Sequence, residues 1–313
     1  MKKQMRTIRE IQDRITELKK ETGVCILAHS YQSPDILEVA DITGDSYKLS
    51  AAAGETDAKK LLLCGVHFMA ETAKLLNPEK RVYEANPDAG CPMAEQFPPE
   101  VICAAKAKFP GCAVVAYVNT TAAVKAVSDV CVTSSSAVKI VSNMEQKEIL
   151  FIPDCNLGAY TQKHCPDKNL HFLPGGCPQH SAITADEARA AKAAHPDALL
   201  LVHPECRPEI TEMADYVGAT SGILNFARKS EHRSFIIGTE ISIVQHLALE
   251  CPEKRFYPIS NRLCCPNMRV TSLSDVERVL REIAEGSAAE LTLPEDIARD
   301  ARRCLDEMLR LGG

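Results

Sequence analysis

Three cysteines, each followed by proline, are the residues of this chain best suited to chemistry. They stand in Asp88-Ala89-Gly90-Cys91-Pro92-Met93, Gly175-Gly176-Cys177-Pro178 and Leu263-Cys264-Cys265-Pro266, in turn-like settings without helical or strand periodicity. Cys91, Cys177 and Cys265 are separated by 86 and 88 residues. Near-equal intervals point to one structural unit used three times, each copy delivering one thiolate to a shared centre. Three converging thiolates can hold a metal or a cluster with one position left open. Zinc is the second choice, because structural zinc sites use paired C-x-x-C knuckles and the chain has none with useful spacing. Lone cysteines far apart suit an iron–sulfur cluster assembled from separate segments, whose unligated iron acts as a Lewis acid.

The elements that must position these thiolates follow from periodicity. Ile8, Ile11, Ile15 and Leu18 recur at helical spacing over 4–21, and Gly23 ends that helix. Short apolar runs at 24–28, 61–64, 113–116, 149–152, 199–202 and 235–237 read as buried strands. Helical patterns lie between them, including 34–40 after Pro34, while 41–46 reads as a loop. This alternation is the signature of parallel α/β units. The tail, 272–310, is helical, with Val276, Val279, Leu280 and Ile283 on one face and a second segment over 294–309.

Further landmarks share the cysteine intervals. His29, Tyr117 and His203 end strands 88 and 86 residues apart; Tyr31, Asn119 and Glu205 repeat the spacing, as do Asp41, Asp129 and Asp215. Five residues after each aspartate stands a hydroxyl: Ser46, Ser134 and Thr220. The fold expected is α/β, with three homologous αβα (Rossmann-like) units whose short parallel sheets surround a pseudo-threefold axis. The units are 1–92 with the C-terminal helices of 270–313, then 93–180, then 181–269.

Ligands of open α/β sheets bind beyond the carboxyl ends of the strands. The polar groups there would face one cavity with the three cysteines. A hydroxyl at a helix N-terminus adds a donor to free N–H groups and suits an anion; taken singly, each could merely cap its helix. His29 and His203 end apolar strands and belong with the site, whereas His67, His164, His171, His195, His232 and His246 have no such support. Glu205, two residues after His203, is a candidate general acid or base.

Composition bounds the alternatives. The 313 residues are 45% hydrophobic, enough for a packed core, and the net charge is −6 without a dense Lys/Arg block, so no nucleic-acid footprint is visible. No apolar run reaches the roughly 18 residues of a membrane helix, and the charged N-terminus has no signal-peptide core, so a cytoplasmic location is expected. The chain has 14 cysteines, and Cys25, Cys64, Cys112 and Cys131, set in apolar runs, read as core filler. Neither a P-loop nor a dinucleotide fingerprint is present.

Cys64-Gly65-Val66-His67-Phe68-Met69-Ala70-Glu71-Thr72-Ala73-Lys74 resembles the signature of the bacterial quinolinate synthase family. So do His29-Ser30-Tyr31-Gln32, Gly44-Asp45-Ser46, Ala89-Gly90-Cys91, Tyr117-Val118-Asn119-Thr120, Thr133-Ser134, Cys177-Pro178-Gln179-His180, His203-Pro204-Glu205-Cys206 and Cys265-Pro266-Asn267-Met268. The resemblance runs in order from about residue 23 to residue 270. It implies three α/β domains with pseudo-threefold symmetry and a [4Fe–4S] cluster on Cys91, Cys177 and Cys265 with one open iron. It also implies condensation of iminoaspartate (iminosuccinate) with dihydroxyacetone phosphate to quinolinate for NAD biosynthesis, with loss of water and phosphate. Substrate contacts would fall to His29, Ser46, Tyr117, Val118, Asn119, Ser134, His180, His203, Pro204, Glu205 and Thr220. Catalysis would fall to Tyr31, His203 and Glu205. Ser30 departs from the Tyr or Asn expected there. The family's C-x-x-M pattern selects Cys265 over its neighbour Cys264. Transient association with the enzyme that supplies iminoaspartate is a further expectation. The competing functions are another Fe–S hydro-lyase acting on a small carboxylate, and a non-enzymatic Fe–S redox sensor.

Overall fold

The computed structural model describes residues 6–312. The chain divides into two compact units, Met1–Cys91 with Pro266–Leu293 and Pro92–Cys265 with Pro294–Gly313. Three four-stranded parallel sheets are built on one plan.

In the first, helix α1 (Ile8–Thr22) starts at Thr7, whose side chain and that of Glu10 form a capping box, and stops at Gly23 in the left-handed conformation (φ 66°). Residues 4 and 5, which the periodicity placed in this helix, lie outside the described residues. Strands β1 (Val24–His29), β2 (Ile42–Gly44), β3 (Lys60–Cys64) and β4 (Arg81–Glu84) run in the order β2-β1-β3-β4. They alternate with α2 (Pro34–Val39), α3 (Ser46–Glu55) and α4 (His67–Leu76).

The second sheet, β6-β5-β7-β8, uses β5 (Ala113–Tyr117), β6 (Val130–Val132), β7 (Glu148–Ile152) and β8 (Asn169–Phe172). Its helices are α5 (Pro99–Lys106), α6 (Ala122–Ala126), α7 (Ala137–Asn143) and α8 (Cys155–His164). The third, β10-β9-β11-β12, uses β9 (Leu199–Val202), β10 (Tyr216–Val217), β11 (Ser234–Gly238) and β12 (Arg255–Pro258). Its helices are α9 (Pro178–Ser181), α10 (Ala185–Ala194), α11 (Pro208–Thr211), α12 (Thr220–Lys229) and α13 (Ser242–Glu250), and the chain ends with α14 (Leu273–Glu285) and α15 (Glu295–Gly312).

The repeated aspartates are structural. Asp41, Asp129 and Asp215 each accept the backbone N–H of a central-strand residue through Oδ2: Ile26 (2.8 Å), Val114 (2.7 Å) and Leu200 (2.7 Å). Each aspartate also meets a lysine from the helix before the central strand: Lys19 of α1, Lys106 of α5 and Lys192 of α10. A second triplicated device ends the next helix. Lys80, Lys168 and Lys254 turn their ammonium groups onto carbonyls at the ends of α3, α7 and α12: Ala53 and Thr56; Met144 and Gln146; Ala227, Arg228 and Ser230. A cation there meets both unpaired carbonyls and the negative end of the helix dipole.

Two sequence expectations change. The loop expected over 41–46 contains β2, whose three residues are too short to show a period. The sequence pattern places the whole tail with the first unit. There α14 packs on α1, but α15 lies on α6, β6 and α7 of the second sheet, burying Ala301, Cys304, Leu305 and Met308. An amphipathic pattern shows that a helix must bury one face and is silent on which sheet receives it. Among the described residues, no helix is long and apolar enough to cross a membrane.

Candidate functional site

Each cysteine loop is tied to the helix that follows its sheet's third strand. The N–H groups of His67, Cys155 and Ile241, at the starts of α4, α8 and α13, donate to the carbonyls of Ala89, Gly175 and Leu263 at 2.8, 3.0 and 2.7 Å. Each acceptor lies two residues before Cys91, Cys177 or Cys265. The structural repeat therefore aligns Cys265, not Cys264, with the other two. All 14 cysteines are free thiols. Cys25, Cys64, Cys112 and Cys131 are buried as expected, and burial pushes the Cys64 thiol up to about 12. Cys91, Cys177 and Cys265 are only partly buried. Soft, unbridged, partly accessible sulfurs on anchored loops are the donors an iron–sulfur cluster requires.

In the first unit, His29 ends β1 and is buried; its Nδ1 accepts the N–H of Tyr31 at 3.1 Å. The two rings meet edge to face, 4.5 Å between centroids. Ser46 opens α3, but the helix is capped by Asp45, which accepts from Lys48 N–H. The other two hydroxyls are no caps either: Ser134 lies in the turn before α7, and Thr220 is the buried first residue of α12, whose cap is Ala219. The capping explanation for the three hydroxyls thus falls away.

In the second unit, the ends of β5 and β9 converge on Glu205. Tyr117 Oη donates to Glu205 Oε1 at 2.7 Å, and His180 Nδ1 lies 2.9 Å from Oε2. His203 Nδ1, which accepts the Glu205 N–H at 3.3 Å, is 3.8 Å from Oε1. The His180 and His203 rings sit 5.0 Å apart. All four side chains are buried, with at most 5% of any residue exposed. His180 continues the network: Nδ1 is 3.2 Å from Cys177 Sγ, and Nε2 is 3.1 Å from Thr239 Oγ1. Asn156 holds the Glu205 carbonyl at 3.0 Å.

The electrostatics follow from burial and charge. Burial alone raises the pKa of Glu205, but the imidazoles of His203 and His180, with hydrogen bonds from His180 and Tyr117, overcome it and bring the carboxyl down to about 2. Tyr117 is driven well above the usual phenol range by burial and then by the Glu205 charge, against a hydrogen bond from Ser134. The phenol therefore stays a donor and the carboxylate an anion. Asp154, fully buried, rises to about 7 through desolvation and then the Glu205 charge.

Val118 and Pro204 are buried spacers beside this network. Val118 N–H donates to Val132 O at 2.8 Å, and its carbonyl takes Lys125 Nζ at 2.8 Å. Next to it, the buried Asn119 Oδ1 accepts no hydrogen bond among the described residues, an acceptor left for something other than protein. Cys177, His180 and Glu205 present ligand atoms within 4.8 Å of one another and could take a single ion. Sequence reasoning missed Asp154, Thr239, Glu240 and Lys125. Asp154 and Glu240 stand 86 residues apart, a signal hidden because the first copy has Val66 in their place.

Residues 13–310 match the family described as Quinolinate synthetase A protein. The chain is 46% identical over 301 residues to the quinolinate synthase of Geobacter metallireducens, covering 96% of this chain and 97% of that protein. It is 44% identical over 304 residues to that of Caldicellulosiruptor saccharolyticus, with coverage of 97% and 99%. It is also 44% identical over 306 residues to that of Thermodesulfovibrio yellowstonii, covering 98% of each.

Proposed function

Since the chain belongs to the quinolinate synthetase A protein family, we propose that it condenses iminoaspartate with dihydroxyacetone phosphate to quinolinate, releasing water and phosphate. The observation that carries this reading is the buried group of Glu205, Tyr117, His180 and His203 beside the open acceptor of Asn119. It offers a fixed negative charge, a protonated phenol, two imidazoles and an amide at the carboxyl ends of two parallel sheets.

Cys91, Cys177 and Cys265 would hold a [4Fe–4S] cluster, which when bound supplies Lewis acidity for dehydration at the iron without a protein ligand. The remaining roles fall to side chains. Ser46, Ser134 and Thr220, with His29 and His203, bind the carboxylates and phosphate of the substrates. Asn119 receives a substrate donor. Glu205, held low by its neighbours, is poorly suited to take a proton at neutral pH by itself; its charge orients the His203 and His180 imidazoles, whose ring nitrogens are the proton-transfer atoms of this reading. Tyr31, which packs against His29, serves as the second proton-transfer group. Iminoaspartate is unstable in water, which favours transient association with the enzyme that makes it; a pull-down free of any such enzyme overturns that part.

Glu205→Gln tests the reading. It keeps the shape and removes the charge, and kcat/KM for quinolinate formation should fall by about 10²-fold or more with iron content unchanged. Wild-type activity in this variant would exclude Glu205 from the chemistry.

A further inference from the structure

We infer that Asp154 and Glu240 are positioning residues that fix two of the three cysteine loops by accepting the backbone N–H groups of Cys177 and Cys265. Asp154 Oδ2 takes the Cys177 N–H at 2.8 Å, while Oδ1 takes the N–H of Leu157 in the first turn of α8. Glu240 Oε1 takes the Cys265 N–H at 3.4 Å, while Oε2 takes the N–H of Ser242, the first residue of α13, at 2.8 Å. Each carboxylate therefore joins a helix start to a cysteine backbone with one oxygen for each. Both are buried, 0% and 2% exposed, so neither bond competes with water. Cys264 uses its own N–H on the Arg262 carbonyl, so the carboxylate distinguishes between the adjacent cysteines.

Two observations make this more than helix capping. First, the residue before Cys177 is shaped for the approach: Gly176 has φ +154°, and a Cβ there would sit 2.9 Å from Asp154 Oδ2. Second, the capping function is dispensable. The first copy has Val66 at this place, and α4 forms without any side-chain cap. A buried carboxylate where valine suffices for the helix must do something else, and the group it reaches in both copies is a cysteine amide. Groups that orient metal ligands commonly matter 10–100-fold for metal retention.

The inference rests on the cluster reading, and the test separates the two. Asp154→Ser keeps a helix cap but is too short for the Cys177 amide. Glu240→Val installs the residue that the first copy tolerates. Hydrogen exchange on the metal-free proteins should show lost protection at the Cys177 amide in the first variant and at the Cys265 amide in the second. After anaerobic reconstitution, each variant should lose iron to a chelator about ten-fold faster than wild type, with altered visible absorption, and Asp154→Glu should restore both readouts. If Asp154→Ser does not fold, the Glu240 arm decides. Unchanged amide protection together with unchanged iron loss overturns the inference and leaves the carboxylates as caps. A wild-type protein that takes up no iron defeats the cluster reading instead, and amide exchange alone then judges the anchors.

Discussion

Glu205 sets the character of the site because Tyr117 and His180 meet its two carboxylate oxygens and the His203 imidazole lies close by. A carboxylate at 4% exposure is stable only when its charge is answered, and Tyr117 and His203 answer it from two strand ends and His180 from α9. Removing one donor leaves an unsatisfied buried charge. Tyr117→Phe should therefore lower unfolding free energy by about 1–3 kcal/mol, read by denaturant titration of the metal-free protein. It should also reduce turnover; unchanged stability would mean that water replaces the phenol. The residue scale was the most legible in sequence. Tyr117, His203 and Glu205 were found because strand-end polar groups recurred at fixed intervals. His180 stood out only through its place after Cys177. Asp154 and Glu240 were invisible, since the first copy has Val66 at their place and the acidic residue recurs only once.

At the scale of elements, polar clamps hold each strand–helix unit in register, and the clamps repeat. The Lys80 ammonium, buried with its side chain, ties the carbonyls of Ala53 and Thr56. Lys80→Met should cost about 1–3 kcal/mol, with loss of amide protection concentrated at the end of α3. The turn joining β12 to the third cysteine loop has a pH-dependent clamp. Glu187 in the first turn of α10 bonds Arg262, Ser260 and Thr184, and chiefly the Arg262 bond brings its pKa from 4.5 down to about 2. A lowered carboxyl pKa gives stability that is complete above about 4.5 and lost as pH falls towards about 2. Glu187→Gln should lower stability at neutral pH, leave stability near pH 2 little changed, and so flatten that part of the acid-unfolding curve; an identical acid limb would mean the pair is fully screened. The six central strands were readable as continuous apolar runs because both faces are covered. The outer strands, two to four residues long, carry too few positions to show any period.

For the whole molecule, the same sheet order appears three times, and the two C-terminal helices break the repetition. The apolar stripe of α15 fits α6 and β6, where Cys304 Sγ lies 3.2 Å from Cys131 Sγ. That destination depends on three-dimensional fit between faces rather than on anything local to residues 294–312. Family membership and the triplicated fold leave one claim above the others: three separated cysteines serve one cluster in a quinolinate-forming enzyme. The direct measurement is iron and sulfide per chain in anaerobically purified protein, paired with an assay for quinolinate from iminoaspartate and dihydroxyacetone phosphate. The account predicts about four irons per chain, with both iron and product lost when Cys91, Cys177 or Cys265 is changed to Ser but not when Cys264 is. Product formation by protein free of iron, or a full cluster surviving those three substitutions, would contradict it.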